Sequence, residues 1–398
     1  IPALHRGAAC GYGLDRARTK GDGGQPWRAG EALLGAGVAG IDIPSVHQNG
    51  HAPEAGDRID QQEGAGLVGD GAELVERLAP ADPRLSGDLL TEAAGLIGDR
   101  PDQLDLKIAS AAITEMRDAF AMFQPYRGIR KVSIFGSART QPDDPLYEQA
   151  RLVAARLASA GWMVVTGAGP GIMEAGMLAA GRENSIGVSI RLPFEDGANS
   201  VIQDDDKHVA MKYFFTRKLM LIKESSAFVC LPGGFGTLDE TFELLTLTQT
   251  GKVLPVPIVF LNTPDDAYWQ QVHAFVTDYL VPRGLVSPTD TALYRITDDI
   301  DAAADEITRF YANYHSIRQV GDDLIVRMRQ APNDEQLAGL NERFAHIVKA
   351  GEIRVTEPYS VERRQGDQVE LDRIALAFSR RGYGELRGLI DEINTYVT

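Results

Sequence analysis

Cysteine is nearly missing: only Cys10 and Cys230 occur in 398 residues. Two thiols cannot staple a disulfide scaffold, and the count fits a protein of the reducing cytoplasm. No apolar run approaches the ~18 residues that a membrane span requires. The first residues also lack the apolar core of a secretion signal. An excess of positive charge is absent too. The formal net charge is −16, which repels nucleic acid polymers and anionic membranes, so neither is expected as a partner. A small phosphate stays admissible, because backbone N–H groups at a helix N-terminus hold it without any net positive charge. No C-x-x-C pair occurs, and His208, His273 and His315 stand alone, so no metal site is expected. The nucleophile elbow G-x-S-x-G and the P-loop G-x-x-x-x-G-K-[ST] are absent as well, which removes two large enzyme classes.

What is present is an ordinary globular composition, 44% apolar and 24% charged, in a chain long enough for two or three units. Residues 1–70 stand apart. They hold over a third of the 41 glycines and show no sustained apolar periodicity, so they read as a flexible tail. Residues 71–125 read as a helical collar. It comprises "AELVERLA", then "SGDLLTEAAGLIGD" with Ser86 as its cap, then a long helix with Leu106, Ala109, Ile113, Met116 and Phe120 at helical spacing.

Over residues 126–313 short apolar runs alternate with amphipathic stretches. The runs are "KVSIFG", "WMVVTG", "IGVSI", "AFVCLP" and "VPIVFL", with "TALYRIT" as a sixth short strand. Runs that are apolar on both faces fit strands of a covered parallel sheet. The expected fold is therefore α/β: a Rossmann-like doubly wound parallel sheet whose ligands sit at the carboxyl ends of the strands. Residues 314–398 change rhythm and predict a small α+β appendage in the order β-α-β-β-α.

Three glycine-bearing turns follow strands. "FGSART" carries Gly136 and Ser137. "TGAGPGIMEAG" carries Gly167, Gly169 and Gly171, then Met173, as it enters a helix. Its third glycine comes one residue too early for the dinucleotide fingerprint, and no acidic residue closes the next strand, so NAD is disfavoured. "CLPGGFGTLDETFELL" carries Gly233, Gly234, Gly236 and Thr237, then Glu240. Thr237 and Glu240 fit a capping box. That reading does not account for so many glycines, which suit an anion nest instead. Glu240, one turn into the helix, is expected to be held ionised by the helix dipole. Upstream, Arg217 and Lys218 interrupt an apolar helix. A surface position suits Lys218, whereas Arg217 lies on the same face as Phe214, Met220 and Leu221 and invites an anion. Arg191, at the end of strand three, either touches the ligand or is solvated.

The combination P-G-G-x-G-T-x-x-E, an upstream R-K pair and G-x-G-P-G-I-M-E resembles the Lonely Guy family of cytokinin riboside 5'-monophosphate phosphoribohydrolases, also called "possible lysine decarboxylases". The resemblance covers about residues 128–311 and, in context, the long bacterial branch with its nucleotide 5'-monophosphate nucleosidases. It implies Arg217 and Glu240 as the catalytic pair. It also implies a 5'-phosphate held by Ser137, Gly169, Gly171, Gly233, Gly234, Gly236 and Thr237, and a base pocket near Met173, Phe214 and Arg191. Phe214 and Glu174 depart from the methionine and glycine of short plant-like members, and both border the base pocket. A nucleoside monophosphate is the implied substrate, with no cofactor, and a homodimer or larger homo-oligomer the implied assembly. A non-catalytic nucleotide or cofactor carrier on the same fold is the competing reading. It needs the phosphate loops but not both Arg217 and Glu240.

Overall fold

The computed structural model describes residues 82–192, 197–380 and 382–397. The expected tail and the helix expected at 72–79 lie outside them. The first described helix, α1 (Pro83–Gly98), starts earlier than the sequence suggests. Asp82, not Ser86, is its cap: the Leu85 N–H donates to the Asp82 carboxylate at 3.0 Å. Pro83 occupies the first helical position, where its fixed φ suits a helix start. Ser86 lies inside the helix and donates back to the Asp82 carbonyl. The long helix α2 (Gln103–Phe123) buries Ala112, Glu115, Ala119 and Phe123. Of the residues at helical spacing, Met116 packs against the core, whereas Leu106, Ile113 and Phe120 are exposed. Two alanines let the helix approach its support closely, which the spacing of the larger side chains does not reveal.

Seven parallel strands form the central sheet in the order β4-β3-β2-β1-β5-β6-β7. They are β1 (Lys131–Phe135), β2 (Met163–Thr166), β3 (Ser185–Ile190), β4 (His208–Met211), β5 (Ala227–Cys230), β6 (Ile258–Leu261) and β7 (Arg295–Thr297). β1 sits between β2 and β5, with Val132 opposite both Val164 and Ala227. Alternate residues feed the two faces, as the two-residue strand period requires. Val132, Val164, Val229 and Val259 face one core. Met163, Val165, Phe228, Cys230 and Phe260 face the other. The first core is closed by α3 (Pro145–Ser159), α4 (Ile172–Ala180) and α8 (Ile300–Arg309). The second is closed by α2, α5 (Phe214–Lys223), α6 (Phe235–Gln249) and α7 (Tyr268–Phe275). This is the doubly wound α/β fold that the alternating runs predict.

Two strands escape the sequence reading. β4 ends on Met211, and the helix that follows it starts only at Phe214. β4 is a short edge strand, only partly buried, and carries no long apolar run. β8 (Tyr314–Val320) follows α8, which ends at Arg309 rather than running on to Tyr314. Phe310, Tyr311 and Tyr314 pack ring against ring there instead. β8 pairs antiparallel with β9 (Asp323–Met328). Together with β11 (Asp372–Leu376) and β10 (Arg354–Val355) they make a four-stranded sheet in the order β10-β11-β9-β8. Helices α9 (Asp334–Phe344), α10 (Ser360–Gln365) and α11 (Tyr383–Asn394) accompany it. The α+β character is as expected, with one strand and one short helix more than the predicted order. Leu324, Val326, Ile374 and Leu376 of this sheet belong to the same apolar cluster as Leu157 and Phe310, so one core lies beneath both sheets.

Beside that core lies a closed set of charges. Glu362 is fully buried, accepts from Arg327 at 2.7 Å and forms an ion pair with Arg373 Nη1 at 2.9 Å. Asp367 takes a second contact from Arg327, also at 2.7 Å, and one from Arg318. Burial alone would raise the Glu362 carboxyl. The Tyr359 N–H and the two arginines outweigh burial and hold it below the usual glutamate range.

Candidate active site

The three glycine turns all leave carboxyl ends of neighbouring strands, β1, β2 and β5, and they meet at Ser137. Ile172, the first residue of α4, donates its N–H to the Ser137 carbonyl at 3.1 Å. Gly171 has φ +69°, and a Cβ there would stand 2.5 Å from the same carbonyl, so both space and backbone require glycine. On the other side, a Cβ on Gly233 would stand 2.3 Å from the Thr237 hydroxyl and 3.1 Å from the Ser137 N–H nitrogen. The turns are thus packed on one another rather than set side by side.

α6 begins at Phe235, with Gly234 as its cap residue and no side chain bonded to the cap. Thr237 is therefore the third helical residue, and the capping box expected for Thr237 and Glu240 does not form. The glycines move the helix cap three residues forward of Thr237, to Gly234. The first-turn N–H groups of α6 point out beyond the strand ends, the arrangement that favours an anion. Phe235 is 94% exposed at the tip of this turn.

Arg217 on α5 and Glu240 on α6 are both more than nine-tenths buried. Arg217 donates through Nε to the Val188 carbonyl at 3.0 Å, and its Nη1 lies 3.4 Å from Glu240 Oε1. Gly167 supplies the space: a Cβ there would fall 2.0 Å from Arg217 Nη2 and 2.8 Å from the Met173 sulfur. Gly169 likewise accommodates the Met173 methyl. Two glycines of the second turn therefore make room for side chains of the site.

Glu240 departs from expectation. It lies on the second turn of α6, beyond the first turn where the helix dipole acts. Burial raises its carboxyl above the usual glutamate range, and Arg217 and Lys218 only partly offset that. Such a carboxyl is poised for proton transfer rather than fixed as a bare charge. Lys218 is not a surface residue either. Its side chain is 14% exposed, and Nζ contacts Asp239 at 2.6 Å and Glu243 at 2.8 Å, on either side of Glu240 in sequence. A second bridge thus ties α5 to α6 next to the Arg217–Glu240 contact. The signal available in sequence was the acid pair at positions 239 and 243, one turn apart.

The three base-pocket candidates divide. Met173 sits against Gly167 beside Arg217. Phe214 lies one turn before Arg217 on α5 and is 47% exposed. Arg191 lines a separate cavity of about 520 Å³ against α2, with Glu115 and Lys212. Among the described residues no group of acidic, histidine or cysteine side chains is arranged to hold a metal, and no helix is long and apolar enough to cross a membrane.

Residues 170–307 match the family model described as "Possible lysine decarboxylase". Cytokinin riboside 5'-monophosphate phosphoribohydrolase LOG3 of Arabidopsis thaliana is 41% identical over 73 residues, which are 18% of this chain and 32% of that protein. LOG1 of the same plant is 40% identical over 73 residues, with the same coverage. The chain thus spans about a third of the length of these curated relatives. Among solved structures, a molybdenum cofactor binding protein from Rippkaea orientalis is 18% identical, covers 44% of this chain and 91% of its own, and has a TM-score of 0.32. The molybdenum cofactor carrier protein of Chlamydomonas reinhardtii is 20% identical, covers 44% and 94%, and has a TM-score of 0.31. Nothing about function follows from likeness at that level. The likeness to these relatives is confined to part of the chain, and residues 170–307 are similar to the family described as "Possible lysine decarboxylase".

Proposed function

We propose that the chain hydrolyses the N-glycosidic bond of a nucleoside 5'-monophosphate, yielding the free base and ribose 5-phosphate. The observation that carries this reading is the buried Arg217–Glu240 contact set among three interlocked glycine turns. The turn at the start of α6 anchors the 5'-phosphate through its N–H groups and so fixes the ribose. Glu240 faces the anomeric carbon, stabilises the cationic sugar as the C1′–N bond breaks, and takes a proton from the attacking water. The hydroxyl goes to C1′, and the departing base gains a proton. Arg217 holds Glu240 in place. The names of the curated relatives support this reading.

Chromatography of AMP, GMP, CMP, UMP and isopentenyl-AMP incubated with the protein tests it. Release of free base together with ribose 5-phosphate is expected from at least one of them. Nucleotide binding without any base release would transfer the reading to a carrier.

The raised Glu240 carboxyl gives a pH prediction. If Glu240 acts ionised, the acid limb of kcat/KM lies above the usual glutamate range. Lys218→Met removes a cation that lowers the carboxyl, so the limb should move to still higher pH. An unmoved limb would show that another group titrates.

We also propose that the chain works as a homodimer or larger homo-oligomer. Leu106, Ile113 and Phe120 recur on one exposed stripe of α2, the pattern of a helix awaiting a partner. Light scattering should give at least twice the chain mass, and Ile113→Glu should lower it. A wild-type mass equal to one chain would remove the proposal.

A further inference from the structure

A cavity of about 770 Å³ lies at the amino ends of β1 and β5, the opposite ends from the glycine turns. Arg130, just before β1, and Ser226, just before β5, form its floor. α5 and α6 form its walls, and Tyr314 and His315 of β8 close it on the side of the second sheet. The glycine-turn chemistry uses none of these groups.

Charge is distributed unevenly there. The Arg130 guanidinium lies 3.9 Å from the centre of the Tyr311 ring and 6.0 Å from that of Trp162. Among the described residues it has no carboxylate partner, and neither has Lys252. Two acids nearby are committed elsewhere, Glu243 to Lys218 and Glu224 to Lys223. His315 is pushed below the usual histidine range by burial, then by Arg130, Arg327 and Arg329, with Glu370 opposing them. In a chain of formal net charge −16, two cations without carboxylate partners in one cavity call for an anion. The remaining walls are apolar, with Phe215 and Leu219 from α5, Leu247 from α6 and Leu254 beyond it. Phe215, Leu219 and Leu254 are exposed.

We propose that this cavity binds an organic anion, a carboxylate or phosphate on a flat or aliphatic apolar body, with the charge at Arg130 and the body against α5 and α6. An inorganic anion would leave the apolar walls wet, and a neutral apolar molecule would leave Arg130 unmatched. A body of two fused rings is well within 770 Å³ and within the ordinary size of ligand pockets.

Calorimetry on the full chain with 2-naphthoate, its neutral isostere 2-naphthamide, and 2-naphthyl phosphate tests this. One molecule of naphthoate per chain is expected, bound about 10-fold to 100-fold more tightly than the amide, the margin of one charge-assisted hydrogen bond. Arg130→Met should abolish that margin while leaving amide binding unchanged. Leu219→Trp, which fills the cavity, should exclude all three. If Arg130→Met does not fold, Lys252→Gln and Leu219→Trp carry the test. Tighter binding of the phosphate, also lost in Leu219→Trp, assigns the head group as phosphate; tighter naphthoate assigns a carboxylate. Equal affinity for acid and amide, a margin that survives Arg130→Met, or no binding of any probe at millimolar concentration overturns the proposal. These readouts are independent of turnover.

Discussion

Glu240→Gln is expected to lower kcat for base release by about 10²-fold to 10⁴-fold while KM changes little, a loss typical of removing a positioned acid–base group. The amide is nearly isosteric, and its oxygen can still accept from Arg217, which Val188 also holds. The variant should therefore fold, and on the proposed reading its phosphate anchor should stay intact, because the turn at 233–237 would supply that through backbone. What disappears is the negative charge opposite the sugar and the ability to take a proton. Single-turnover assays beside nucleotide binding by calorimetry separate the two contributions. A variant that retains half of the wild-type kcat would place the chemistry elsewhere. One that loses binding and turnover together would make Glu240 a structural residue.

The second large effect lies far from this site. Glu362→Gln should cost about 3–5 kcal/mol of stability, the usual loss when one member of a buried ion pair is removed. Glu362 and Arg373 are both fully buried and Arg327 nearly so, so the variant leaves Arg327 with Asp367 as its remaining acid and Arg373 with only the Leu371 and Gln368 carbonyls. Urea denaturation should show a lower midpoint with an unchanged slope. A change under about 1 kcal/mol would mean that water reaches the cluster. The same carboxyl gives the sign of a pH effect. Its folded-state pKa is depressed. Its stabilising contribution is therefore complete above the unfolded glutamate value and is lost as pH falls through the folded one.

The parts of this molecule that could be read from its sequence are those whose surroundings are uniform. β1, β2, β3, β5 and β6 are covered on both faces, so they appear as unbroken apolar runs. β4 and β8 are strands with a half-exposed face, and their mixed side chains hide them. The α2 face was legible only in part, because Ala112 and Ala119 make the contact, and small residues leave little periodic signal. At the site, the glycine density and the R-K pair point to turns that the structure packs on one another, and Arg217 does meet Glu240. The helix start at Phe235 was missed because Thr237-x-x-Glu240 is a familiar cap signature. Lys218 was misplaced because its partners come from another helix, which no local pattern encodes. The protonation tendency of Glu240 depends on burial by groups distant in the chain, and a dipole argument from neighbouring residues could not supply it.

The continuous core beneath the two sheets bears on how the described chain comes apart. Leu157, Phe310, Val326 and Leu376 share one cluster, so neither sheet can be peeled away without wetting the interior of the other. Partial unfolding along that line exposes apolar surface on both sides at once and gains the chain entropy of only one, which makes the half-melted species scarce. The two sheets should then lose structure in a single cooperative step, with the calorimetric and van't Hoff enthalpies in agreement.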